Sequence, residues 1–474
     1  MLARLIVFAL TLFLGAEIAA AAELEVPTSA SGGAHLTVYT NDFALVRDRR
    51  SVRLPSGAAD LAFTGVSGRL QPETALLDVI KGEPLTVSEQ TFSFDVITPE
   101  RLMEHAVGQE VGVVIVNPAT GKETTERAKV LGVTNGLVLE MNGKIHTGAP
   151  GRIVFDKLPE GLRSSPTLLM RANGTAKRET EVELSYLSSG LSWRADYVAQ
   201  YDPEADRMDL KAWATITNTT GMDFKAANIK LVAGDVNRTA AQPAPRVMRA
   251  MEMQLDAARA PMAKGVGTEG LVAFHIYSLP GATTLNDRES KQLALMDGQG
   301  ISVKRDLVAR SQPHFYTTSL RGQTQDNRAD VQLTFINNEA AKLGVPLPAG
   351  TVRVYTKDAS GAPQFLGEGN IDHTAEGSEV SLQLGSDFDV PVLREQTNFV
   401  RASDNITLTN WRVTVRNAKS RPVTVRVVEQ LPGSWEITKE TASHTKLNAA
   451  EVEWALEVPA KGQVVLEYSV RTRY

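Results

Sequence analysis

The 474-residue chain contains no cysteine at all. That excludes disulfides, thiolate metal sites, cysteine nucleophiles and a lipid anchor carried on a cysteine after a leader. The domains must be held together by their own cores, which a chain of this length is able to build. There is no excess of positive charge either: 50 Lys and Arg stand against 55 Asp and Glu, a formal charge of −5. Losing Arg4 and Glu17 with a leader leaves that balance unchanged. A nucleic-acid binder carries a basic stripe or a high pI, so nucleic acid is not an expected partner. Long apolar runs are missing as well. The run Leu5 to Leu14 is interrupted by Gly15 and Glu17, whereas a membrane span needs roughly 20 apolar residues.

What is present begins with that N-terminus. One early charge, Arg4, precedes the short apolar run, and Ala20-Ala21-Ala22 supplies the small residues that a signal peptidase requires. Residues 1–22 therefore read as a signal peptide cleaved after Ala22, with a periplasmic or secreted product and no integral span after cleavage. Beyond it, an apolar fraction of 42% and a charged fraction of 22% belong to a water-soluble, packed body. At roughly 100–200 residues per domain, three or four domains are expected.

From Leu36 onward the dominant pattern is a two-residue alternation, as in Leu36 to Tyr39, Ala44 to Arg47 and Thr180 to Tyr186. One apolar face and one polar face is the signature of half-buried strands. Asn135-Gly136, Asn142-Gly143, Asn173-Gly174 and Lys461-Gly462 punctuate them as turns. The predicted fold class is all-β, with multidomain β-sandwiches of the immunoglobulin-like kind, a small inserted β-barrel and few short helices. The expected units are an N-terminal β-domain over 34–100, completed by strands after 160; the barrel over 107–156; a sandwich over 165–238; a flexible Ala/Met/Pro-rich linker over 239–270; a β-domain over 271–400; and a C-terminal sandwich over 401–474. Thr98-Pro99-Glu100 supplies a cap and a first-turn proline, so a short helix should lead into the barrel. A phrase also recurs. A strand ends on Asn337 or Asn417, a hairpin follows, and Leu347-Pro348-Ala349-Gly350 or Leu431-Pro432-Gly433 closes the second strand.

Residues with chemistry are scattered. The seven histidines have no i, i+2 or i, i+4 pair to share a metal, and no metal site or cofactor is expected. His373 has the most polar surroundings of the seven. Asp202, Glu204, Asp206 and Asp209 alternate like a calcium loop, but Arg207 and Trp213 stand where such a loop needs glycine and glutamate, so an acidic hairpin is expected. Gly65-Val66-Ser67-Gly68 falls one residue short of a nucleophile elbow. The five tryptophans sit in strand patterns, where a ring pinning two sheets together is the ordinary role and an exposed sugar platform the functional one. Trp193, Arg194, Tyr197 and His373 are the candidate binding residues, and none is assigned to catalysis.

The stretch Tyr186-Leu187-Ser188-Ser189-Gly190-Leu191-Ser192-Trp193-Arg194-Ala195-Asp196-Tyr197, with Leu231-Val232-Ala233-Gly234-Asp235, Leu347 to Tyr355 and Leu431 to Trp435, resembles a bacterial domain-of-unknown-function family. Relatives of that family include the mucoidy-inhibitor-A-like proteins. The resemblance runs from about Thr180 to the C-terminus and implies an all-β fold without an activity. Those relatives carry a long coiled coil after the first strands, where this chain has its small barrel, so no role that needs a coiled coil carries over. The expected function is a non-enzymatic binding or scaffold protein of the cell envelope, with an envelope protein or a glycan as partner. The alternative is a hydrolase, or a carbohydrate-active or carbohydrate-binding protein, with its site at a domain junction. No sequence motif specifies an oligomeric state.

Overall fold

The structure is a computed structural model that describes residues 23–28, 33–54, 57–159, 161–174, 179–234, 236, 267–271, 274–320, 324–341 and 343–473. Residues 1–22, read above as a leader, and most of the segment read as a linker lie outside the described residues. Strands dominate, and among the described residues the one α-helix is Pro99–His105, whose start follows the sequence signal: Thr98 Oγ1 accepts from the Arg101 backbone N–H at 3.1 Å.

Three sheets surround a first core. A four-stranded sheet runs in the order Glu23–Val26, Gly57–Thr64, Thr167–Gly174, Leu85–Ser93. A second sheet orders Gly267–Leu271, Phe274–Ser278, Phe224–Ala233, His35–Tyr39, Phe43–Arg53, Glu179–Ser189 and Leu76–Lys81. The third orders Glu289–Ser302, Arg207–Asn218, Leu191–Asp202, Gly350–Lys357 and Pro363–Ile371. Alternation aims these strands inward: along Leu191–Asp202, Trp193, Ala195, Tyr197, Ala199 and Tyr201 all enter the core. A nine-stranded sheet with its own core, built on Trp411, Trp454, Val425, Val427 and Leu466, forms the C-terminal body.

These pairings cut across the expected boundaries. The strands of 165–238 are shared among three sheets, and those of 271–400 are divided between the first body and the nine-stranded sheet. The physical reason is that period-two alternation marks a strand without naming its partner. Among the described strands four pairings are parallel, including Leu191–Asp202 with Gly350–Lys357, and Lys304–Arg310 with Val423–Gln430. A parallel pair requires a long crossover, which is invisible to a reading based on local hairpins. The segment read as linker also ends early, because Gly267–Leu271 pairs antiparallel with Phe274–Ser278.

The insert is a five-stranded sheet in the order Lys144–Thr147, Val138–Met141, Glu123–Gly132, Glu110–Val116, Arg152–Val154 around a small core of Val111, Val113, Ala128, Val130, Leu139 and Met141. Among the described residues its end strands, Lys144–Thr147 and Arg152–Val154, do not pair with each other, so the sheet stays open.

The recurring asparagines have a common task. Asn417 Nδ2 donates to the carbonyls of Arg421, Pro459 and Val458 at 2.8, 3.1 and 3.3 Å, and Asn337 Nδ2 to those of Val345 and Ala375 at 2.8 and 3.1 Å. Asn218, a third copy of the Thr-x-x-Asn strand end, donates to Met222, Asn286 and Leu285 in the same way. Each ties loop carbonyls to the end of its own strand through a buried amide.

Two long strands join the bodies. Glu379–Ser403 gives Val380 and Leu382 to the first core and Val390 and Val392 to the second, while Thr324–Ile336 gives Leu333 and Phe335 to the first and Ala329 to the second. Between those sets their mutual register shifts twice, at Arg328/Asp330 and at Val331/Gln332. The junction of the bodies is thus a bulged stretch of continuous sheet.

Candidate functional site

The four residues singled out in the sequence do not converge. Trp193 is 3% exposed, its Nε1 donates to the Val232 carbonyl at 3.0 Å, and its ring meets Tyr277 edge-on. Tyr197 is fully buried and donates to the Pro348 carbonyl at 2.7 Å; burial holds its phenol protonated far above the usual range. Both rings therefore pin sheets together and offer no platform to solvent. Arg194, one residue out of phase, lies on the opposite, solvent face with its Nε 3.1 Å from Asp196. His373 is exposed in a loop, where its Nδ1 accepts from the Ala349 backbone N–H at 3.1 Å.

Around Arg194 the sheet face carries a polar row. Asp196 accepts from Thr215 Oγ1 at 2.6 Å and from Arg353 Nη1 at 3.2 Å, and Arg353 Nε lies 3.3 Å from Glu368. Burial pushes the Asp196 carboxyl up, but the hydrogen bonds from Thr215 and Arg353 and the charges of Arg194 and Arg353 together hold it below the usual carboxylate range.

Two adjoining clefts lie elsewhere, the first along the third sheet and the second where the two bodies meet. A cleft of about 500 Å³ is lined by the hairpin Asp202 to Asp209 together with Gly300, Thr356, Lys357 and Asp358. The acidic stretch is indeed a hairpin, with Asp202 paired to Arg207. Three of its four carboxylates are occupied internally: Asp202 caps the Glu204 and Ala205 amides at 2.9 and 3.2 Å, Asp209 accepts from the Gly300 amide at 2.7 Å, and Asp206, at φ 49°, accepts from the Tyr201 hydroxyl at 3.0 Å. Asp358 is held at about 2, first by hydrogen bonds from Ser360 and Gln364. Tyr201 is pushed up to about 12 by burial and then by Asp206. Among the described residues no group of three or more His, Asp or Glu side chains is placed to hold a metal ion.

A second cleft of about 330 Å³ adjoins the first and shares Tyr201, Pro203 and Thr356 with it. Its walls are mainly apolar, Val331, Leu333, Leu366 and Leu384, and its polar groups are Arg305, Thr356 and Ser386. An apolar pocket with a few converging polar groups is the usual form of a small-molecule site. The bulged junction strands supply Val331, Leu333 and Leu384, so the cleft exists only because the two bodies meet there.

Sequence reasoning found the hairpin lip and missed the rest. Arg305, Thr356 and Leu384 are separated by dozens of residues and share no motif; the one available signal was the location expected for a site, at a domain junction.

Among the described residues no helix is long and apolar enough to cross a membrane. No curated protein matches the chain. A family model described as a domain of unknown function, DUF4139, matches residues 182–474, which takes in the third sheet, both clefts and the whole nine-stranded sheet. The chain belongs to the DUF4139 family.

Proposed function

We propose that this protein is exported, loses residues 1–22, and acts in the cell envelope as a non-enzymatic binding or scaffold protein related to the mucoidy-inhibitor-A-like proteins. The observation that carries the reading is the pair of adjoining clefts, the smaller of them at the junction of the bodies. In the first cleft Asp202, Asp209 and Asp358 are tied into internal hydrogen bonds, while the second is lined by apolar walls and a few polar groups and by no carboxylate. That division of labour suits recognition, where shape and a few fixed polar groups select a ligand. A catalytic carboxylate would instead need to be free to exchange a proton with substrate. The N-terminal residues support export through the leader pattern, and the all-β construction gives long-lived surfaces held by cores alone.

The test has two parts. The processed chain, residues 23–474, is used as bait against solubilised envelope and against purified cell-wall polysaccharides, and the exported protein is weighed by mass spectrometry. Saturable retention of one envelope component and a mature chain that begins at Glu23 are expected. Release of fragments from a glycan, peptide or ester substrate would overturn the non-enzymatic reading and favour a hydrolase; an unprocessed N-terminus would overturn export by this route.

A further inference from the structure

We infer that the smaller junction cleft is a binding site for a small monocarboxylate with an apolar body, its carboxylate on Arg305 and its chain against Val331, Leu333, Leu366 and Leu384. This rests on the binding reading above and deepens it at the same site.

Three independent features point to that chemistry. The first is an incomplete hydrogen-bond set: Thr356 lines both clefts, and its Oγ1, closed off from solvent as the side chain stands, has no hydrogen-bond partner. Buried hydroxyls in folded proteins are nearly always satisfied, so a turn of the Thr356 side chain about χ1 toward the cleft, where a ligand atom completes the set, relieves the orphan.

The second is charge. Arg305 Nη2 lies 3.3 Å from Asp387, and Lys419 Nζ approaches the same carboxylate at 2.7 Å, so two cations face one anion. Arg421 adds further positive charge felt at the Tyr201 hydroxyl. Of the neighbouring acids, Asp206 takes the Tyr201 hydrogen bond, and Asp330 accepts from Ser386 Oγ and Gln383 Nε2, both at 2.8 Å. The contact to Asp387 uses one of the five guanidinium donors, and a guanidinium fork suits a carboxylate.

The third is size and shape. At roughly 30 Å³ for each non-hydrogen atom, a volume of about 330 Å³ holds on the order of a dozen such atoms. Gly385 keeps the floor open: its φ of 138° disfavours any side chain, and a Cβ there would point into empty space.

The experiment is isothermal titration of the processed chain with sodium decanoate, with 1-decanol and with decyltrimethylammonium, on the wild type and on Leu384→Trp, Arg305→Gln and Thr356→Val. Thermal melts of each variant confirm that it is folded. The expected result is saturable decanoate binding near one per chain, with the alcohol and the cation each weaker by about tenfold or more. Leu384→Trp should abolish binding by filling the cleft, Arg305→Gln should weaken decanoate about tenfold while leaving decanol unchanged, and Thr356→Val should weaken it a few-fold. Equal affinity for decanoate and decanol, unchanged binding in folded Leu384→Trp, or no saturable heat with decanoate would overturn the inference. Retention of an envelope partner without decanoate binding would sink this inference alone; decanoate binding without any retained partner would leave it standing and remove the scaffold reading.

Discussion

Two buried arginines, one in each body, are held in different ways. Arg50, in the first body, is 1% exposed; its Nε donates to Asp48 at 2.9 Å, and Nη1 donates to the carbonyls of Val26 and Thr64, both at 2.7 Å. Arg394, in the second, is equally buried, but its anion is Glu429, at 3.1 Å, which also accepts from the Tyr316 hydroxyl at 2.6 Å. Tyr316 and Tyr468 share a further hydrogen bond of 2.8 Å, and burial holds both phenols protonated far above their usual range. Arg50 is therefore shared between one carboxylate and the backbone, which ties the first strand, Glu23–Val26, to the sheet beside it. Arg394 has a single backbone partner, the Ala309 carbonyl 2.9 Å from Nη2, and its carboxylate is itself shared with a tyrosine. The difference teaches that a buried charge with two backbone partners and a carboxylate of its own tolerates the loss of that anion better than one with one backbone partner and a shared carboxylate.

The largest effect expected of that difference comes from Glu429→Ala, which strands Arg394 and frees both tyrosines. It should destabilise the C-terminal body by about 3–5 kcal/mol, read from urea unfolding followed by tryptophan fluorescence. A cost under about 1 kcal/mol would show that the network is incidental. Asp48→Ala should cost less, about 1–3 kcal/mol, because two carbonyls still hold Arg50; a loss equal to that of Glu429→Ala would break the comparison.

Asn417→Ala and Asn218→Ala sharpen it on neutral groups. Each leaves backbone carbonyls without their amide donor and should cost about 1–3 kcal/mol, with the first acting on the C-terminal body and the second on the N-terminal one. Separate transitions in a two-probe melt would report which body each variant loosens.

Acid separates the bodies more gently. Burial raises Glu183, but its hydrogen bonds and charge contacts with Arg47 and Arg49 outweigh that and leave it below its usual 4.5; Asp196 lies likewise below 3.8. In the C-terminal body burial also raises Glu440, and its contacts with His444 and Trp454 bring it below 4.5. A carboxyl lowered by folding contributes stability that is complete above its unfolded value and is lost as the pH falls through the folded one. Melting temperature should therefore fall below about pH 4.5, with Glu183→Gln and Asp196→Asn flattening the fall of the first body and Glu440→Gln that of the second. Equal slopes in wild type and variants would remove these groups as the cause. Smallest of all, Arg194→Ala at the solvent face should change stability by less than about 0.5 kcal/mol.

Much of the local structure was legible. Thr98-Pro99 marked the helix, the alternation in Glu179–Ser189 marked its strand, and the clamps at Asn337 and Asn417 surfaced as a repeated phrase. Asn218 escaped because its loop lacks the Leu-Pro-x-Gly partner that made the others recognisable. Trp193 and Tyr197 were read as candidate ligand contacts although they share the inward phase of their strand with Ala195 and Ala199, a periodicity that pointed to the core.

By itself the sequence determined that this chain is strand-built, free of disulfides, acidic overall and turned at its Asn-Gly and Pro-Gly steps, because those properties follow from residue type and short-range period. Only the tertiary structure decided which strands pair, where the two bodies meet, and that Tyr201, Arg305, Thr356 and Leu384 border one cleft. Parallel pairings and bulged strands bring residues together across more than a hundred positions, and no local periodicity carries that information.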